Sequence, residues 1–118
     1  MELDNVFQEL RKILYPYSSK LDCKSDEEGN LYIDTFHIMK NKKPLFFGAV
    51  QTRKRYVSYH LMPVYVDPGL LDSISPELKR RMQGKSCFNF KSIDKPLFKD
   101  LAALTKAGYR YYQDEGYV

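Results

Sequence analysis

The apolar residues of this 118-residue chain change their period twice, and that change constrains the fold more than any single motif does. Leu3, Val6, Phe7, Leu10, Ile13 and Leu14 recur at the three-and-four spacing that lays one stripe along a helix. Between Leu21 and Met62 the period falls to two, and clusters of Gly, Asn, Lys, Arg and Pro break the run into short lengths. From Asp94 onward Leu97, Phe98, Leu101, Leu104, Tyr109 and Tyr112 return to the helical spacing. A block of strands grouped between helices predicts an α+β fold. The expected architecture is an antiparallel β-meander of about five strands with N-terminal and C-terminal helices packed on one face.

The turns divide the meander. Asp26-Glu27-Glu28-Gly29-Asn30 contains the Gly and Asn that accept positive φ and joins Leu21–Ser25 to Leu31–Ile38 as a hairpin. Lys40–Pro44 leads into Leu45–Thr52, and Arg53-Lys54-Arg55 leads into Tyr56–Met62. In that last strand Val57, Tyr59 and Leu61 share one face, the more apolar, and are expected to point inward, while Tyr56, Ser58, His60 and Met62 share the other. Pro63 and Pro68 end the strand region. Leu70, Leu71, Ile74, Leu78 and Met82 then predict two short helices, the second capped by Ser75, carrying Lys79, Arg80 and Arg81 in its last turn and ended by Gly84. Cys87–Phe90 alternates like a short fifth strand with Phe88 and Phe90 on its core side.

Residues 1–118 read as one domain, without linker, repeat or low-complexity segment. A chain of this length buries roughly two-thirds of its unfolded surface and needs no staple to fold. It has no apolar run of membrane-spanning length, so no membrane association is expected. The first residues, Met1-Glu2-Leu3-Asp4, are acidic where a secretory signal is basic. Cys23 and Cys87 are far apart and fit no CxxC pattern, so they read as free thiols in a reducing compartment. The expected location is cytoplasmic.

Net charge is +4, too mild to demand an anionic partner, but its distribution is uneven. Asp22, Asp26, Glu27, Glu28 and Asp34 cluster early, whereas Phe36 to Val66 contains no acid and includes Lys40, Lys42, Lys43, Arg53, Lys54 and Arg55. Successive turns of a meander lie at opposite ends of its sheet, which separates Lys42 and Lys43 from Arg53–Arg55. The latter share an end with Asp26–Glu28. Two readings follow: a charge-complementary rim between those turns, or a ligand- or anion-binding edge in which Tyr56, Tyr59 and Lys85 join Arg53, Lys54 and Arg55.

Other constellations are weaker. Gly84-Lys85-Ser86 echoes the end of a phosphate loop, but Lys79 stands where that motif needs Gly and a strand follows where it needs a helix. Cys23, His37, His60 and Cys87 lack the close pairs of a structural zinc site. The acidic run from Asp22 to Glu28 lacks calcium-loop spacing and reads as a solvated turn. Nothing pairs a nucleophile with a base, so no catalytic residue is assigned and no cofactor is evident.

The stretches Lys43-Pro44-Leu45-Phe46-Phe47-Gly48-Ala49-Val50, Tyr56-Val57-Ser58-Tyr59-His60-Leu61-Met62-Pro63 and Gly84-Lys85-Ser86-Cys87-Phe88-Asn89-Phe90, with the Lys95-Pro96-Leu97 helix start, resemble the YdhG-like family of small bacterial proteins. The resemblance covers roughly Asp34 to Tyr112. It implies an architecture similar to frataxin and YjbR-type proteins, and it implies iron chaperoning for some relatives and sheet-mediated DNA binding for others. Frataxin-type iron binding uses an acidic ridge on the first helix and first strand, and here the first helix offers only Glu2, Asp4 and Glu9 between basic and apolar residues. Two functional readings are therefore carried forward. The first is a non-enzymatic binding module, a monomer or weak dimer, for a partner protein, small ligand or iron. The second is a weak nucleic-acid or anion binder using the basic sheet edge.

Overall fold

Helix α1 spans Glu2–Leu14 and buries Val6, Phe7, Leu10 and Leu14, the predicted stripe. Proline cannot enter the interior of an α-helix, yet it suits a first turn, so the chain continues past Leu14 as one 3₁₀ turn, Tyr15–Tyr17, with Pro16 at its start. The computed structural model describes residues 2–118. Strands β1 (Asp22–Glu27), β2 (Asn30–Ile38), β3 (Pro44–Thr52), β4 (Val57–Leu61) and β5 (Cys87–Phe90) form one antiparallel sheet in sequence order. A single-residue bridge joins Met82 to Phe88 of β5 and adds a minimal sixth strand to the five expected. The α+β class, with both terminal helices on one face, is as the period changes predicted.

Two details depart from the sequence reading. The chain leaves β4 directly into a short helix, α2 (Met62–Val66), because Pro63 sits in its first turn, where no N–H is needed. After a 3₁₀ segment, Pro68–Ser73, helix α3 covers only Pro76–Lys79, so Arg80 and Arg81 lie beyond its end. Ser75 caps it as expected, accepting from the Leu78 N–H at 3.2 Å. Gly84 has φ +80°, but in the turn before β5 rather than at the helix terminus.

Helix α4 spans Lys95–Asp114, capped by Asp94, whose carboxylate accepts from the Leu97 N–H at 3.2 Å. It buries Leu97, Phe98, Leu101, Leu104, Thr105, Gly108 and Tyr112. The core lies between this helix, α1 and the sheet face carrying Leu31, Ile33, Val50, Val57, Tyr59, Leu61, Phe88 and Phe90. At Gly108 the helix passes so near α2 that a Cβ would stand 2.9 Å from the Pro63 Cβ, so glycine is required there. Among the described residues no helix is long and apolar enough to cross a membrane.

Candidate ligand-binding face of the sheet

Because the helices take one face, alternation presents every second strand residue on the other. Cross-strand register arranges these residues in two rows. Tyr32 lies opposite Ala49, Ala49 opposite His60 and His60 opposite Cys87. Beside them Asn30 lies opposite Gln51, Gln51 opposite Ser58 and Ser58 opposite Asn89. Irregularities flanking Asp34 place Phe46 opposite it, which brings the Phe46 ring onto this face.

The first row is aromatic. The Tyr32 and Phe46 rings stack with centroids 4.7 Å apart and planes 24° apart, and His60 sits 6.4 Å from Phe46. Ala49, between Tyr32 and His60, is only 1 % exposed, so the three half-buried rings form the surface above it. Burial lowers the His60 pKa below its ordinary 6.5, and the nearby Arg53 charge lowers it further. At neutral pH the ring is therefore uncharged and apolar in character.

The second row is a hydrogen-bond relay. Arg53 Nη2 donates to Gln51 Oε1 at 2.7 Å, and Gln51 Nε2 donates to Asn30 Oδ1 at 3.0 Å. Across the sheet, Ser58 Oγ lies 2.7 Å from Cys87 Sγ and donates to Asn89 Oδ1 at 3.0 Å. Burial pushes the Cys87 thiol up, against the opposing influence of the Ser58 hydroxyl and Arg53. A protonated, half-buried thiol is a poor nucleophile. At the β1 side the face turns acidic, with Asp22 opposite Asp34 and held by Lys24 at 2.8 Å.

The sequence-predicted residues divide. Arg53, Lys54 and Arg55 are exposed in the β3–β4 turn, and Tyr56 is half-buried beside them. That turn does adjoin the β1–β2 turn, since the Thr52 N–H donates to the Gly29 carbonyl at 2.9 Å. The charge-complementary rim does not form, however: Asp26 accepts a bidentate pair from Arg11 of α1, at 2.8 Å to one oxygen. Among the described residues none of Arg53, Lys54 and Arg55 makes an ion pair.

Two assigned residues must be withdrawn from this edge. Tyr59 is 0 % exposed, points into the core and donates its hydroxyl to Thr105 Oγ1 at 2.7 Å, because the Thr105 proton is committed to the Leu101 carbonyl. Lys85 lies at the opposite end of β4: β5 runs antiparallel, with Cys87 beside His60 and the Ser86 carbonyl bound to the Leu61 N–H. Lys91 occupies the position expected of it, following Phe90, the partner of Val57.

Sequence reasoning missed Tyr32, Phe46, Asn30 and Gln51, which become neighbours only through register. Of the four residues weighed as zinc ligands, His60 and Cys87 meet, whereas the His37 ring packs on Tyr117 and Cys23 is exposed on β1. Among the described residues no group of three or more His, Cys, Asp or Glu converges to hold a metal ion. Both cysteines are free thiols. No family model, no curated protein and no solved structure matches the chain.

Proposed function

We propose that this chain is a non-enzymatic binding module that takes single-stranded nucleic acid, weakly, on the open face of its sheet. The observation that carries the reading is the Tyr32–Phe46–His60 surface running beside a polar row that ends at Arg53. Ring faces accept any base, each stack contributing about 1–3 kcal/mol. Asn30, Gln51 and Asn89 offer donors and acceptors to base edges, with the buried Ser58 holding Asn89 in place, and Arg53, Lys54 and Arg55, exposed and outside any ion pair among the described residues, supply charge to neutralise phosphate. The protonated Cys87 thiol supports binding over catalysis.

The same motifs support placing the chain with the YdhG-like family, and the two free thiols support a reducing, cytoplasmic setting. Iron handling rests on that resemblance alone. The deciding experiment is anisotropy titration of a labelled oligonucleotide of about twelve residues, repeated at about 50 and 200 mM salt. Replacing Arg53 and Arg55 together by Gln should reduce the salt slope by about 1.4, the value for two phosphate contacts to a single strand. Phe46→Ala should weaken binding about tenfold at both salt concentrations, as loss of one stack requires. Saturable binding of ferrous iron with no oligonucleotide binding at low salt would replace this reading with the iron-handling one.

A further inference from the structure

On the side of the molecule away from that face, α1 and α4 enclose a groove made of two hollows of about 540 and 460 Å³ that meet at Tyr17 and Lys106. Small apolar residues of α4, Ala102, Ala103 and Ala107, form part of its lining. Its walls are basic. Lys95, Lys99, Lys106 and Arg110 fall within a sector of about 60° on α4 and extend about 22 Å along it. Lys12 and Lys20 add to them, and the one carboxylate in the lining, Glu9, is already bound to Lys12 at 2.7 Å. Six cations against one carboxylate leave five positive charges in the groove, more than the net +4 of the whole chain.

The helix gains nothing from this arrangement. Lys95 and Lys99 stand at the positive end of the α4 dipole, and the pairs Lys95/Lys99 and Lys106/Arg110 repel at i,i+4 spacing. Among the described residues Lys20, Lys95, Lys99 and Lys106 have no ion-pair partner, and Asp114 approaches Arg110 only to 3.9 Å. An unbalanced charge that works against its own helix is explained by a ligand that balances it.

We propose that this groove docks an acidic amphipathic helix of a partner protein. Carboxylates at i, i+4 and i+11 on such a helix match the spacing of the α4 cations, and alanines allow a second helix backbone to come close. Nucleic acid fits less well, because Gln113 is the one amide side chain in the lining, so base edges would find few partners beside the rings. Tyr17 packs on Tyr109 at 5.0 Å and on Phe47 at 5.4 Å, and Lys20 lies over the Tyr109 ring. A membrane fits less well too, because none of the exposed large hydrophobic residues lies in the lining to insert into it.

The test is an amide NMR and anisotropy titration of the full chain with a designed helical peptide of about sixteen residues, glutamates on one face and leucines on the other. Saturable binding with shifts confined to residues 12–20 and 95–113 is expected. Lys99→Glu with Lys106→Glu should weaken binding at least tenfold while leaving the remaining amide spectrum intact. A peptide with lysines at the facing positions should restore it. Absence of binding, equal affinity for an unstructured polyglutamate of the same charge, or preferential capture of an oligonucleotide or anionic vesicle by these same amides would each overturn the proposal.

Discussion

His60 sits half-buried between the aromatic row and Arg53, and its ring loses affinity for protons on folding. In the unfolded chain it titrates near its ordinary 6.5, and in the fold below that. Between those values the unfolded state binds more protons, so the contribution of His60 to stability is complete above about 6.5 and is lost as pH falls through the folded value. The urea midpoint of the native protein should therefore drop on acidification through this window, and His60→Gln should flatten that drop. An unchanged slope would place the titration elsewhere. Tyr59 shows the limit of composition at this scale. Its two neighbours of equal parity, Val57 and Leu61, marked it as inward, whereas its position near Arg53–Arg55 suggested stacking on a ligand. Alternation decides the outcome, because a ring facing α4 finds Thr105 for its hydroxyl and loses nothing by leaving water.

Among the elements, β5 is the shortest strand, and its two phenylalanines anchor it in the core. Phe88 and Phe90 are 0 % and 1 % exposed, and Phe90 meets Phe98 of α4 edge-on at 4.9 Å. Phe90→Ala should cost about 3–5 kcal/mol in chemical denaturation, from lost transfer energy plus the cavity left between sheet and helix. A cost below about 1 kcal/mol would mean that the ring does not fill the core. The existence and type of this strand were legible from four alternating residues, as were α1, the hairpin and α4, since each is set by local periodicity and turn chemistry. The candidate face was not legible, because it depends on which residues stand opposite one another. That register is shifted by irregularities at Cys23/Ser25 in β1 and on either side of Asp34 in β2, which no propensity announces. The α3 boundary failed for a related reason: Arg81 and Gln83 give their backbone groups to Asn89 and Cys87 at the sheet edge, and tertiary pairing overrides the helical spacing.

Taken whole, the molecule carries its two candidate surfaces on opposite sides of one sheet, so a ligand on either would leave the other accessible. Of the positive charge predicted for the sheet edge, Arg53, Lys54 and Arg55 stay together in the β3–β4 turn and Lys85 lies at the far end of β4, while the helix groove gathers six cations. The order of the strands has a further, temporal consequence. Each strand pairs with its neighbour along the chain, and only β5 follows after an excursion through α2 and α3. Short loops close quickly, so the first four strands can zip early, whereas α4 must return across the full sequence to reach α1 and to bring Tyr112 onto the Phe46 carbonyl. Truncating Val50 to Ala should slow refolding, and truncating Leu101 to Ala should chiefly accelerate unfolding, which stopped-flow chevrons would separate. On that schedule the last event of folding is the closing of a lid: until α4 lands, the apolar side of a finished sheet is covered by α1 alone, and the rate of landing sets how long the young chain is open to aggregation.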